Sequence, residues 1–425
     1  MAPQPQITGR HRRWQVNVFA ATWLSYAGFY FCRKAFGIVK GPLKETLMVD
    51  DFQLAHIWTA YLAAYMIGQF LAGYLGTKVA CRRLLLVGMA GSVACNIAFG
   101  GATLMGPAGY YPLLVFMIIN GFAQATGWPG NIGTMAHWFQ RDQRGTIIGI
   151  WGTCYQLGSV AAKAMAGFLF AWLGLAWSFW GAAAVLFAVW IAFYFLQRDK
   201  PEDVGLSPIV GVEMVEGTEP VDDDKPWPPS VVRSVLVMGA TYFSFKFLRY
   251  ALDSWSALVI GENFNLDVAT AGYISTTFDI VGFAGVIFAG VFSDRFFGGR
   301  RATVCFLMAI GLVFSTVVLG QFGSSSVAMF TIALALMGFT LFGPDSLLSG
   351  VGAIDVGSKR RAVLAAGIVN GIGSIGPILQ EEIIGYLKVH YGMDAVFTLL
   401  IGVAALGSIG TGVLWLWGRH GKSRF

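Results

Sequence analysis

Gly290-Val-Phe-Ser-Asp294-Arg295-Phe-Phe-Gly-Gly-Arg300-Arg301 is the stretch from which the architecture of this chain is read. It closes an apolar segment, and a degenerate copy stands far upstream as Gly73-Tyr-Leu-Gly-Thr77-Lys78-Val-Ala-Cys-Arg82-Arg83. Gly73 and Gly290 are 217 positions apart. A second feature recurs at nearly the same offset. Tyr30-Phe-Cys-Arg33-Lys34-Ala-Phe36 and Lys246-Phe-Leu-Arg249-Tyr250 each set cations inside an apolar run, and Arg33 and Arg249 are 216 positions apart. Two separate features at one spacing imply two equivalent halves, related by an axis along the membrane normal.

Composition agrees. Of 425 residues, 56% are hydrophobic and only 12% are charged, about half the charged share of a soluble domain. Apolar segments of membrane-crossing length fall at roughly 14–39, 53–77, 83–104, 110–136, 147–171, 176–197, 233–260, 268–293, 302–321, 326–350, 362–387 and 394–418. The expected fold is all-α and integral to the membrane: twelve transmembrane helices in two six-helix bundles, residues 1–197 and 233–425. The polar stretch 198–232 between them contains Glu213, Glu216, Glu219 and Asp222-Asp223-Asp224 and reads as a linker. Lys and Arg fix the orientation. The termini, the linker and the even-numbered loops hold 21 of them, and the odd-numbered loops hold only Lys40, Lys44 and Lys388. Both termini and the linker are therefore expected in the cytoplasm. On this topology the net charge of +6 reflects membrane orientation and not a nucleic-acid partner. The five cysteines have no CxxC spacing and read as small buried hydrophobes. No metal or cofactor motif and no P-loop is present. The apolar run after the basic N-terminus is too long for a signal-peptide core and reads as a retained first helix.

Five cations remain inside predicted helices: Arg33, Lys34, Lys163, Lys246 and Arg249. Five acids are embedded likewise, Asp253, Asp279, Asp345, Glu381 and Glu382, all in the second half. An arginine at mid-membrane costs about 2.5–3.5 kcal/mol on insertion scales. Arg33 has no acid in the first-half segments to neutralise it, so an anionic ligand is the preferred reading over a structural ion pair. Arg249 and Asp253 are four residues apart on one helix face, consistent either with a permanent pair or with one that opens when an anion arrives. Lys34 either reaches the ligand or turns to a neighbouring helix. Lys163 reads as a cavity cation or as a partner of a second-half acid. Asp279 reads as a partner of Lys246 or Arg249, or as a proton site. Asp345, after Gly343-Pro344, either pairs across a cavity or caps a broken helix. Glu381 and Glu382 read as solvated at a cavity mouth.

The stretch ending at Arg301 matches the cytoplasmic signature of the major facilitator superfamily, in which charge-paired loops latch the halves together. The resemblance assigns that role to Asp294 and Arg295, and Thr77 replaces the acid in the first copy. Within that superfamily the chain resembles the organophosphate:phosphate antiporter family. The resemblance is carried by Tyr30 to Phe36; by Asn120-Gly-Phe-Ala-Gln124-Ala-Thr-Gly127-Trp128-Pro129; by Lys200-Pro-Glu-Asp-Val-Gly-Leu206; by Leu248-Arg249-Tyr250 with Asp253 and Trp255; and by Gly367 to Gly376. It implies that Arg33 and Arg249 hold the substrate phosphate and that Tyr26, Tyr30, Tyr65 and Trp128 line the same cavity. The chain departs from the family pattern at Gln69, where some members carry lysine. Tyr155 stands where some carry histidine, Lys246 where a tyrosine is usual, and Asp279 where a glutamate is usual.

These residues imply a secondary transporter, not an enzyme, that exchanges an organic phosphate ester for inorganic phosphate. A dianion of about −1.5 to −2 charges suits two forked guanidinium groups, one from each half. An empty site would set Arg33 against Arg249, and that repulsion would discourage closure without an anion. The alternatives are a proton-coupled symporter using Asp279 or Asp253, or a transporter-like sugar-phosphate sensor. The expected setting is a monomer in the lipid bilayer of a bacterial cytoplasmic membrane, with an endomembrane as the alternative.

Overall fold

The computed structural model describes residues 7–49, 51–209, 227–266, 270, 274–357 and 361–419. The acidic run of the linker, with Lys225, and Lys359, Arg360, Lys422 and Arg424 lie outside the described residues. Every described element is helical. Lipid offers no hydrogen-bond partners, so each spanning segment must satisfy its backbone internally.

Twelve long helices coincide with the twelve segments read from the sequence. They are α1 Gly9–Ile38 and α2 Asp51–Lys78, α3 Cys81–Thr103, α4 Gly106–Trp138, α5 Gln143–Leu173 and α6 Leu175–Leu196. Then come α7 Pro229–Phe264, α8 Thr277–Phe297 and α9 Arg301–Phe322, and α10 Val327–Asp355, α11 Ala362–Lys388 and α12 His390–Arg419. Among the described residues, ten helices are apolar enough to cross a membrane on composition alone. The two that fall short are α1, with Arg10, Arg12, Arg13, Arg33 and Lys34, and α2, diluted by Tyr61, Tyr65, Gln69 and Tyr74. Large apolar side chains such as Trp172 (75% exposed) and Phe314 (65%) face outward, as a lipid-facing surface requires. This is a multi-pass membrane protein.

Left-handed glycines mark the joins of neighbouring helices: Gly174 (φ 88°) between α5 and α6, and Gly392 (φ 76°) in the first turn of α12, just beyond α11. The α8 helix continues to Phe297, four residues beyond the expected end, because Ser293-Asp294-Arg295 stays helical until Gly298 (φ 56°).

The chain divides into two compact units. The first holds 1–139, 151–210 and 359–367, and the second holds 140–150, 211–358 and 368–425. In the first, α1 packs on α5 and α6, α2 on α4, and α3 on α4 and α6. Side-chain bonds lock α1 in place. Trp23 Nε1 donates to Thr153 Oγ1 (3.0 Å), Trp151 Nε1 donates to Thr22 Oγ1 (3.1 Å), and Asn131 Nδ2 donates to Ser25 Oγ (3.1 Å). In the second unit α8 packs along α10, and α7 and α9 pack on the segment Ile375–Arg419, which takes in the later half of α11 and all of α12.

The repeated signature glycines do the same job in each unit. A Cβ on Gly73 would stand 3.0 Å from Gly367 Cα, and one on Gly290 would stand 2.3 Å from Gly145 O. Each therefore lets a neighbouring backbone approach closely, the usual role of small residues between membrane helices.

At the end of α6, Asp199 is largely buried. Its Oδ1 accepts from Arg82 N (2.8 Å), Gln197 Nε2 (3.0 Å) and Thr134 Oγ1 (3.4 Å). Burial pushes its carboxyl above the usual range, and the bonds from Gln197 and Arg82 oppose that shift without cancelling it.

Two outcomes follow. A Cβ at Gly338 would fall 2.2 Å from Phe278 O, where α8 and α10 cross. Gly338→Val therefore overpacks the crossing, costing about 1–3 kcal/mol, and lowers the apparent Tm in detergent at a fixed scan rate. An acid with a raised folded pKa favours the fold while protonated, and its contribution falls as pH climbs through that raised value. Wild type should therefore lose Tm relative to Asp199→Asn as pH rises above the ordinary carboxylate range, and the two should converge below it. Parallel pH–Tm curves would contradict the burial argument.

Candidate functional site

Arg33 lies in α1 at 8% exposure. Its guanidinium sits over the rings of Tyr65 (4.7 Å) and Tyr30 (4.9 Å). Its Nε donates to Gln124 Oε1 at 2.9 Å. The same oxygen accepts from Tyr61 Oη (3.0 Å), and Gln124 Nε2 donates to Ser92 Oγ (3.2 Å) and Asn120 Oδ1 (3.4 Å). The amide is thus held from both ends, which fixes the Nε edge of Arg33. At the far end of the guanidinium, Nη2 is buried with no hydrogen-bond partner among the described residues. Desolvated cation–π contacts contribute about 2 kcal/mol, and a charged hydrogen bond about 1.5–3 kcal/mol. Together these offset the insertion cost of the cation without an acid.

The aromatic residues named from the sequence gather around this group. Tyr26 packs against Tyr30 (5.7 Å), Trp128 (5.2 Å) and Trp151 (5.5 Å), and Tyr155 against Tyr30 (6.4 Å). All of them are buried. Lys34 is half-buried, with Nζ 5.9 Å from the Tyr30 ring. Lys163 is half-buried on α5, outside the described contacts of Arg33.

In the second unit Tyr242, Lys246 and Arg249 follow one face of α7. Lys246 is buried and donates from Nζ to Ser374 Oγ on α11 (2.8 Å). Arg249 Nη1 pairs with Asp345 Oδ2 on α10 at 3.1 Å, and its guanidinium lies 5.3 Å from the Phe342 ring. Among the described ion pairs Arg249 is held by Asp345, and Asp253 is exposed. Asp279 is half-buried in the first turn of α8.

A third group is a buried charge cluster. Asp294 accepts from Thr146 N (2.6 Å) and Thr146 Oγ1 (2.9 Å) and pairs closely with Arg301. Arg301 also receives support from Ser293 (2.8 Å) and approaches Asp355 (3.6 Å), which pairs with Arg144 (3.1 Å). Two cations and two carboxylates thus balance. Arg295, grouped with Asp294 among the latch charges, is exposed. On a helix, adjacent side chains point in different directions, so Asp294 can turn inward only with Arg295 turned out.

A sequence profile described as Major Facilitator Superfamily matches residues 22–258 and again 235–425. The chain belongs to the Major Facilitator Superfamily. Its curated relatives are those of the organophosphate:phosphate antiporter family. One is a glycerol-3-phosphate transporter of Bacillus subtilis, 26% identical over 98% of this chain and 96% of the relative. Another is the glucose-6-phosphate exchanger SLC37A2 of Xenopus tropicalis, 29% identical over 93% of this chain and 91% of the relative. Among solved structures, the proton:xylose symporter XylE bound to 6-bromo-6-deoxy-D-glucose superposes with a TM-score of 0.74. It covers 96% of each chain at 13% identity, a likeness of fold.

In this facilitator-superfamily chain, sequence reasoning found the cations and rings but missed what holds them. Gln124 and Asn120 were in the quoted α4 stretch at i, i+4 spacing, a pattern that puts two amides on one helix face. Asp345 carried a signal too, as an acid beside a mid-helix proline. Arg144 and Asp355 gave none, because loop cations and acids usually face water, and Arg301 was marked only as the last residue of the signature.

The buried cluster generates a stability test. Removing one member of a buried ion pair leaves an uncompensated charge, at about 3–5 kcal/mol. Asp355→Leu should lower the apparent Tm sharply. The double variant Arg144→Leu/Asp355→Leu should recover part of that loss. A double variant equal to the sum of its singles would show the two groups to be uncoupled.

Proposed function

We propose that this protein exchanges an organic phosphate ester for inorganic phosphate by alternating access, with the phosphate held between Arg33 and Arg249. The observation that carries the reading is the buried Arg33 guanidinium: among the described residues no acid pairs with it, its Nε edge is fixed, and its Nη2 donor is left open. An anion with several acceptor oxygens is the ligand such a group lacks. The named activities of the relatives, glycerol-3-phosphate transport and glucose-6-phosphate exchange, supply the substrate class.

In this reading two six-helix halves, 1–197 and 233–425, each contribute one guanidinium, and phosphate draws them together. Tyr26, Tyr30, Tyr65, Trp128 and Tyr155 give the organic portion an aromatic wall, and Lys34, Lys163 and Lys246 add positive potential. Asp294 belongs to the gating charges. The termini are placed in the cytoplasm, on the charge asymmetry of the loops, and the protein works as a monomer.

Counterflow in proteoliposomes tests the proposal. Vesicles loaded with phosphate should take up labelled glycerol-3-phosphate or glucose-6-phosphate, and vesicles loaded with chloride should not. Arg33→Lys and Arg249→Lys keep charge but lose the fork, and exchange should fall by about 10²-fold or more, in line with the loss of two charged hydrogen bonds. Gln124→Leu should raise KM for phosphate while leaving the protein folded. Undiminished exchange by either lysine variant would remove that arginine from the site.

A further inference from the structure

The geometry points to Asp345 as a built-in competitor of the substrate: a resident counter-anion that occupies Arg249 when the site is empty and is displaced by the incoming phosphate. This rests on the reading of Arg249 as a phosphate ligand.

Three observations carry it. First, Asp345 is 1% exposed, and its Oδ2 takes Arg249 Nη1 at 3.1 Å. Its other oxygen, Oδ1, is buried with no hydrogen-bond partner among the described residues. The Tyr242 hydroxyl, one turn before Lys246, also acts on this carboxyl, yet a carboxylate that takes a guanidinium through one oxygen is held less firmly than a bidentate pair. Second, the helix around it is built to shift. Pro344 removes a backbone donor immediately before Asp345, and a π-helical run, Leu347–Gly352, begins two residues after it. Single π turns inside α-helices are local distortions found often at functional sites. Third, a second cation stands close by. Lys246 is one turn before Arg249 on α7, is buried, and exerts its charge on Asp345. It is bonded at Nζ to Ser374, a neutral partner.

The exchange of partners then follows from charge. Carboxylate and phosphate compete for the same guanidinium, and a phosphate bearing about −1.5 to −2 charges outcompetes a monoanion. When phosphate takes Arg249, Asp345 passes toward Lys246. When phosphate leaves, Asp345 returns and neutralises Arg249. The competitor therefore weakens binding and hastens release, as a carrier with many turnovers needs. It also revises the repulsion argument: in the empty state Arg249 is paired, and Arg33 alone keeps an open donor.

Equilibrium binding of labelled inorganic phosphate to the purified full chain in detergent tests this, together with counterflow. Asp345→Asn should bind phosphate about tenfold tighter, within the range of ordinary couplings between sites, and its maximal exchange rate should fall. Weaker or unchanged binding by a folded Asp345→Asn protein would overturn the proposal, since a purely structural counter-ion predicts loss. Should Asp345→Asn not fold, wild type decides. With carbon-13 at the aspartate carboxylates, adding phosphate should shift an aspartate stretch in the infrared difference spectrum, and an unchanged spectrum overturns the proposal. Arg249→Lys is measured alongside. If it binds phosphate like wild type, the phosphate reading itself fails. If it loses binding while Asp345→Asn gains none, only the competitor role fails.

Discussion

A guanidinium placed inside a membrane helix without an acid facing it is the constraint on which this structure turns. Arg33 meets it with aromatic faces and one amide oxygen, all drawn from its own unit. Those partners fix the ion without quenching its charge. The Gln124 amide is in turn bonded by Tyr61, Ser92 and Asn120, so four helices' worth of side chains converge on one donor edge. Polar networks in a low-dielectric interior are strong when fully satisfied and costly when not. Here the satisfied part is the frame, and the unsatisfied Nη2 is the part left over for a ligand.

The second unit solves the same problem in the opposite manner. Arg249 has a carboxylate, Asp345, and Lys246 has a hydroxyl, Ser374. The sequence asymmetry, with every embedded acid in the second half, thus becomes a division of labour. Among the described residues one arginine is held by neutral partners, and the charge of the other is balanced by a carboxylate. The repeated glycines Gly73 and Gly290 show the older symmetry beneath it, each admitting a neighbouring backbone in its own unit. The first copy of the superfamily signature carries Thr77 where the second has its acid: Asp294 is clasped by Thr146 and Arg301, whereas the Thr77 hydroxyl donates to Tyr74 O within its own helix turn.

Much of this was legible beforehand, for physical reasons. Helix number and ends are written in apolar length and loop charge, which the bilayer imposes directly. The cations were legible because charge in an apolar run is conspicuous. Their partners were not. Gln124 and Asn120 look like any polar residues of a membrane helix until α3 brings Ser92 against them. Asp345 lies 96 positions from Arg249, and the pair appears only once α10 packs beside α7. Arg301 stood at the end of the quoted signature, and only the fold shows that it lies against Asp294 while Arg295 is exposed.

The central claim is that one phosphate touches both arginines, and a dipolar measurement addresses it without passing through transport kinetics. With nitrogen-15 on the arginine side chains and phosphate bound in frozen proteoliposomes, phosphorus–nitrogen recoupling reads which guanidinium groups lie against the phosphorus. The account predicts dephasing of the phosphorus signal in wild type, reduced in both Arg33→Lys and Arg249→Lys and abolished when the two are combined. A phosphorus signal that dephases equally in wild type and in the double variant, or not at all in wild type, would contradict it.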